Sequence, residues 1–346
     1  MDQTSSLSAA VCEAADQNAP LRIEGGNTRA FYGRPVDANP LSIAGHTGVI
    51  DYDPAELVIT ARSGTPLAEV EALLAENNQM FAFEPPSFGP SGTLGGAVAT
   101  GLSGPRRPFT GALRDYVLGA RILNGQGEIL RFGGTVFKNV AGFDAFRLMA
   151  GAQGTLGVIL DISIRTTPKP RADAALSYEM PGEAARLWVT GLMRRPLPLS
   201  GAFHDGRRLH LRLSGGQAGV AAASAELGGE AEPLQIWTTI RDLTHPALNT
   251  HPVLWRLALP QAASLPDLAP YPWDWGGGLR WLPADDIDPA VWTLAARSGG
   301  HATLIRGTSD TVFQPLAPPI LALHKRIKFT LDSKSIFNPG RLYEGL

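Results

Sequence analysis

The run from Lys138 to Ile159, KNVAGFDAFRLMAGAQGTLGVI, turns from polar to apolar, carries glycine at 142, 151, 154 and 157, and ends as a strand. Glycine tolerates positive φ and lets a neighbour lie against bare backbone, so Gly154-Thr155-Leu156-Gly157 reads as a tight turn feeding a buried strand. Two more glycine-rich turns precede it. Glu24-Gly25-Gly26-Asn27-Thr28-Arg29 follows a short strand over 21–23, and its successive N–H groups can form a nest for an anion. The Thr28 hydroxyl and Arg29 cation would complement a pyrophosphate. Pro90 to Gly101, PSGTLGGAVATG, is almost entirely small, so a planar ligand can lie flat on it. If a helix opens near Gly95, its free N–H groups favour a phosphate. Taken singly, each turn is equally compatible with ordinary punctuation or close helix–sheet packing.

Several function classes are excluded by simple absences. No G-x-G-x-x-G follows a strand and no G-x-x-x-x-G-K-[ST] occurs, which disfavours a nicotinamide or P-loop reading. Thirty Lys and Arg against 32 Asp and Glu leave a net charge of −2, so no basic field invites nucleic acid. Cys12 is the single cysteine, which removes intrachain disulfides and cysteine metal sites and suits a reducing compartment. The N-terminal residues lack a basic n-region, and apolar runs break before 18 residues. The expectation is a cytoplasmic chain with no signal peptide and no membrane span.

The 346 residues suggest two domains of an α+β protein. In the first half a strand over 57–62 precedes a helix capped by Thr65, opening with Pro66 and running to about Asn77. Asn124-Gly125 suits a type I′ hairpin. Pro168-Lys169-Pro170 marks the boundary, giving a first domain over 1–168 and a second over 169–330, with a tail over 331–346. In the second, strands flank Asp205-Gly206 with Leu209, Leu211 and Leu213 alternating. An antiparallel sheet covered by helices on one face is expected.

The order GGNTR, PSGTLGGAVATG, RDYVLGARILNGQGEILRFGG, KNVAGFDAFRLMAGAQGTLGVI, then IFNPGRLY near the C-terminus, resembles the PCMH-type FAD-binding domain of the vanillyl-alcohol-oxidase superfamily. The branch it resembles holds glycolate oxidase and D-lactate dehydrogenase subunits. SGPRR at 103–107, LWRLALP at 254–260 and DWGGGLRW at 274–281 are similar to the smaller flavin subunits of bacterial glycolate oxidases. The resemblance covers almost the whole chain and implies an FAD domain followed by a smaller α+β cap domain, with the tail returning to the cofactor. It implies that Gly25, Gly26, Asn27 and Thr28, with Arg29, wrap the FAD pyrophosphate. Thr93, Gly95, Gly96 and Thr100 would line the diphosphate, ribityl and flavin region, and Gly154, Thr155, Gly157 and Val158 the adenosine half. It further implies a larger catalytic FAD subunit and an iron–sulfur subunit as partners. The complex would oxidise glycolate to glyoxylate and send electrons to quinones, at the inner face of the cytoplasmic membrane. Covalent members attach flavin through a His or Cys in these glycine loops. Neither is present here, so noncovalent FAD is expected.

Other residues carry weaker expectations. Arg106 and Arg107 could place a cation near the flavin, and Arg107 or Arg280 could clamp a substrate carboxylate. His204 and His210, in FHDGRRLH, read as hairpin residues without an evident carboxylate partner, so no metal is expected. Tyr271, Trp273, Trp275 and Trp281 are a wall over the flavin, a subunit contact or plain core. His324, Lys325, Arg326 and Lys328 read as a solvated helix face. Three readings stay open: an electron-relaying or structural FAD subunit, a complete 2-hydroxyacid dehydrogenase, and a scaffold that has lost FAD.

Overall fold

The structure, a computed structural model, describes residues 1–135, 144–263 and 271–346. The Lys138–Phe143 part of the long glycine run lies outside the described residues. In chain order the first half contains α1 (Thr4–Gln17), β1 (Leu21–Glu24), β2 (Asn39–Ser42), β3 (Val49–Asp53), β4 (Val58–Arg62), α2 (Leu67–Glu76), β5 (Gln79–Met80) and α3 (Leu94–Thr100). Then come α4 (Arg107–Thr110), α5 (Leu113–Tyr116), β6 (Val117–Leu123), β7 (Ile129–Gly133), β8 (Val158–Arg165) and β9 (Thr167–Pro168). Five of these strands form an antiparallel sheet in the order β3-β4-β8-β6-β7. Central β8 is buried along nearly its whole length, and its one acid, Asp161, accepts from Arg121 Nε of β6 at 2.6 Å. Leu67, Val70 and Leu74 of α2 and Leu94, Ala97 and Val98 of α3 pack with Ile59, Ile162 and Ile164 of this sheet. Leu7 and Val11 of α1 close a second cluster with Val158, Leu160 and Phe337.

Two local expectations are corrected by side-chain chemistry. Thr65 does not cap α2: its Oγ1 accepts from the Gly48 N–H, and Pro66 stands at the cap position. The β6–β7 connection is wider than a two-residue turn. Asn124 Oδ1 accepts from the N–H groups of Gln126 and Glu128, and the positive φ falls on Gly127 at 75°. The asparagine side chain closes the loop itself, so Gly125 need not turn.

The second half contains β10 (Ala172–Glu179), α6 (Gly182–Leu192), β11 (Leu199–His204), β12 (Arg208–Gly215), α7 (Gln217–Leu227), β13 (Glu230–Glu232) and α8 (Gln235–Arg241). After these come β14 (Val253–Ala258), β15 (Trp273–Asp274), β16 (Leu279–Ala284), α9 (Ala290–Arg297), β17 (His301–Arg306) and α10 (Pro318–Leu331). Eight strands form an antiparallel sheet in the order β13-β10-β12-β11-β15-β16-β14-β17. Asp205-Gly206 is the β11–β12 turn: Gly206 takes φ 103°, and Asp205 Oδ1 accepts from the Arg207 and Arg208 N–H groups. Strand alternation then puts Leu209, Leu211 and Leu213 under α6 and α7. The intervening Arg212 reaches back to Glu84 in the first half.

That reach joins the two sheets. Half-buried Glu84 accepts from the Arg106 N–H at 2.9 Å and from Arg212 Nη2 at 2.9 Å, and it pairs with Arg106 Nε at 3.3 Å. Arg106 is therefore a clamp between the sheets, not a cation held over a ligand. Burial acts to raise the Glu84 pKa, but the Arg212 and Arg106 guanidiniums outweigh it and hold the carboxyl below its ordinary value. Its stabilisation is therefore full above the unfolded carboxyl pKa of about 4.3 and is lost as pH falls through the lower folded value. Replacing Glu84 by Gln takes the carboxylate from buried Arg212 and leaves buried Arg106 only Asp173, at 3.7 Å. Stability measured by urea unfolding at pH 7 should drop by about 3–5 kcal/mol, a difference that narrows on acidification below pH 4. A variant as stable as the parent at pH 7 would contradict this role.

Candidate cofactor site

The first wall of the site grows from β1, which pairs in parallel with β2 and bridges to Phe337. After Glu24 the chain turns through Gly25 to Arg29, with Asn27 at φ 55°. Gly26 is required by space alone, because a Cβ there would lie 1.4 Å from the Ser91 carbonyl oxygen. The two upstream glycine turns thus lie directly on each other, and Ser91 Oγ donates to Gly26 O at 3.1 Å. Among the described residues, none accepts a backbone hydrogen bond from Gly26, Asn27 or Thr28, so these donors remain available to a ligand.

The second wall differs from expectation. Thr93 caps α3, its Oγ1 accepting from the Gly96 N–H. The Leu94 N–H donates to Thr65 O and the Gly95 N–H to Ser63 O, so the opening donors of this seven-residue helix are already engaged. Free backbone donors therefore remain at the Gly26–Thr28 turn rather than at the start of α3. Small side chains on α3 leave a flat surface for an apolar ring, and Thr100 folds its hydroxyl back onto Gly96 O.

Gln153 and Gly154, at φ 51° and 73°, form the third wall with Gly157. Here Asn338 closes in: its Nδ2 donates to Gln153 O at 2.6 Å, and its Oδ1 accepts from the Ile23 N–H at 2.8 Å. Arg341 adds a bond from Nε to Gln153 Oε1 and others from Nη2 to the carbonyls of Ala30 and Tyr32. Asn338, Arg341 and Gln153 were missed residue by residue; only the return of the tail was legible, from NPGR.

These walls enclose a cavity of about 400 Å³. Gly25, Gly26, Asn27, Thr28, Arg29, Thr93, Gly95, Gly96, Thr100, Gly154 and Gly157 all line it. Thr155 and Val158 stand behind it instead. Val158 is fully buried in the α1 cluster, Thr155 Oγ1 donates to Ala152 O, and Thr155 O accepts from Lys328 Nζ. Two buried polar atoms in the wall, Arg29 Nε and Gln153 Nε2, have no protein partner among the described residues. Burial lowers Arg29 and Arg341 to about 10, so both remain cations at neutral pH. Two cations, orphaned donors and unused backbone N–H groups around a glycine surface suit an elongated anionic ligand with flat ends, and FAD fits that description.

The remaining candidates fall elsewhere. Arg280 is 2% exposed and binds Gly277 O, Tyr271 Oη and Ala263 O through its three nitrogens. Trp273, Trp275 and Trp281 are buried. The cation run on α10 splits, since Lys325 and Arg326 are exposed but Lys328 is buried against Asp332 at 2.8 Å. His204 stacks on Trp273. His210 does have carboxylate partners, with Nδ1 at 2.9 Å from Glu232 and Nε2 at 3.4 Å from Asp205. Asp205, His210 and His245 gather within 4.8 Å. However, His245 Nδ1 accepts from the Ala247 N–H, so the neutral ring carries its proton on Nε2 and has no lone pair for a metal there. The cluster is a hydrogen-bonded network around His210, whose carboxylate neighbours overcome burial to raise its pKa.

The fold and this cavity define an FAD-binding oxidoreductase. Residues 1–133 match the family described as FAD binding domain. Over 98% of the chain and 76% of the other, the backbone superposes on alkyldihydroxyacetonephosphate synthase with a TM-score of 0.67 at 16% identity, a likeness of fold. Glycolate oxidase subunit GlcD of Bacillus subtilis is 27% identical over 58% of this chain and 44% of its own length. Glycolate oxidase subunit GlcE of Escherichia coli K12 is 44% identical over 100% of this chain and 99% of its own length. The chain belongs to the glycolate oxidase subunit GlcE family.

Gly26→Ala should move Ser91 and the Gly25–Arg29 turn together. We expect a stability loss of about 1–3 kcal/mol in thermal unfolding and weaker FAD uptake in fluorescence titration. A variant that folds and binds FAD like the parent would show that the two turns do not need this contact.

Proposed function

We propose that the chain is the FAD-binding subunit of a glycolate-oxidising complex, working beside a larger catalytic flavin subunit and an iron–sulfur subunit that carries electrons toward quinones. The observation that carries this reading is the cavity whose three glycine walls and C-terminal wall offer unpartnered donors and two cations. Its agreement with a full-length relative named as a glycolate oxidase subunit supports the complex. Residues 1–168 and the tail 331–346 would hold FAD, with 169–330 as the cap. Gly26, Asn27 and Thr28 would bind the pyrophosphate through backbone N–H groups, beside the Arg29 and Arg341 charges. Thr93, Gly95, Gly96 and Thr100 would face the ring system. Gly154 and Gly157 would face the adenosine half, with Thr155 and Val158 supporting them from behind.

When bound, FAD supplies a ring that accepts a hydride; the protein orients it and sets its potential. The described lining contains neither His nor Cys, which supports noncovalent attachment. No described helix is long and apolar enough to cross a membrane. Attachment to the membrane face would then run through the partner subunits.

Acid precipitation of the purified yellow chain tests this directly. All flavin absorbance should stay in the supernatant, and apoprotein should regain one FAD per chain. Colour held in the pellet would sink noncovalent binding, and a chain that takes up no FAD would sink the reading itself.

A further inference from the structure

The last helix, α10, has two unlike faces. Leu321, His324, Lys328 and Leu331 form its inner row, at the spacing of one helical stripe. His324 lies edge-on to Tyr343 at 6.0 Å, Leu331 packs on the first-half core, and Lys328 is buried against Asp332. The outer face is apolar but bare: Ile320 and Leu323 are each 47% exposed, and Phe329 is 68% exposed. No other helix or strand among the described residues exposes more than one large apolar side chain. Such residues are ordinary singly and uncommon in a group. Ile320, Leu323 and half-buried Ile327 also recur at i, i+3 and i+7, the spacing that seats a helix in an apolar groove.

Charge narrows what can cover this face. Residues 318–331 contain no Asp or Glu, although the whole chain has a net charge of −2. Lys325 and Arg326 are exposed, and among the described residues neither has a carboxylate within ion-pair distance, whereas Lys328 has Asp332. Arg326 stands three residues from both Leu323 and Phe329, so it lies between them on one row of the helix surface. A lipid surface would have to draw that cation in along with its apolar neighbours, at a cost. A second copy of the chain would set Lys325 and Arg326 against their own kind. A protein groove suits both demands, because apolar walls and carboxylates can stand at fixed points within it.

We propose that the outer face of α10 seats in an apolar groove of a partner polypeptide whose rim carries carboxylates opposite Lys325 and Arg326. The assignment rests on the reading of this chain as a subunit of a larger assembly, and it names the surface by which the chain joins. Rigidity favours this helix for the role. Lys328 Nζ donates to Thr155 O, Asp332 Oδ2 and Phe337 O from the inner face, so the outer face is presented already ordered and docking need not fix it. Only the helix itself, about 10 Å across, then separates the docked partner from the third glycine turn of the cofactor cavity.

Hydrogen–deuterium exchange of the full chain, alone and co-purified with the larger flavin subunit and the iron–sulfur subunit, tests the face without any substitution. Amides of residues 320–331 should exchange ~5-fold or more slowly in the assembly. Leu323→Ser, Phe329→Ser and Arg326→Glu should each weaken association by ~10-fold or more, with Arg326→Lys close to the parent and FAD content unchanged in all four. Leu187→Ser, at an equally bare leucine on α6, should associate as the parent does. An assembly that forms with residues 320–331 unprotected, or α10 variants that associate like the parent, would overturn the proposal and leave the subunit reading standing. Retention on phosphatidylglycerol vesicles that Phe329→Ser abolishes, with subunit association unchanged, would overturn it in favour of lipid. A parent chain that joins neither subunit would sink the subunit reading, and this proposal with it.

Discussion

The cofactor cavity depends on one buried ion pair. Lys328 Nζ donates to Asp332 Oδ2 at 2.8 Å, to Thr155 O at 2.9 Å and to Phe337 O at 2.9 Å, which uses all three ammonium donors. Asp332 in turn accepts the N–H groups of Ile336 and Phe337. Burial works to lower the Lys328 pKa, and Asp332 opposes it. With every donor and acceptor satisfied, the pair fastens α10 to the third glycine turn and to the C-terminal tail. From that anchor the tail runs beside β1 and delivers Asn338 and Arg341 into the cavity wall. A pair broken on one side leaves a buried charge, a loss of about 3–5 kcal/mol.

A second junction gives the chain its other half. Glu84, Arg106 and Arg212 bind the eight-stranded sheet to the cofactor-bearing half, while Trp275 crosses the same seam to Gly104. Trp275 and the clamp thus lie on one seam between the two sheets.

Much of this was legible in the sequence because glycine reports a backbone requirement. Gly25, Gly26, Gly95, Gly96, Gly154 and Gly157 point to close approach whatever the cause, and all line the cavity. What glycine could not report was the partner of each approach. Gly26 faces the Ser91 carbonyl, and the Gly95 and Gly96 donors are consumed by Ser63 and Thr93. Contacts across more than a hundred residues were not legible either. Lys328 looked like one of four solvated cations until Asp332 and the carbonyls around it were placed. Arg106 and Arg107 are adjacent in sequence, yet one is locked to Glu84 and the other stacks in the open on Trp275.

The account makes the tail a wall of the FAD site, held there by Lys328 and Asp332. The direct test is the FAD dissociation constant of a Lys328→Met/Asp332→Asn double variant, which removes both charges at similar volume, with far-UV circular dichroism to confirm folding. Release of the tail predicts FAD binding weaker by ~10-fold or more in a chain that remains folded. A folded double variant that binds FAD as tightly as the parent would contradict the account.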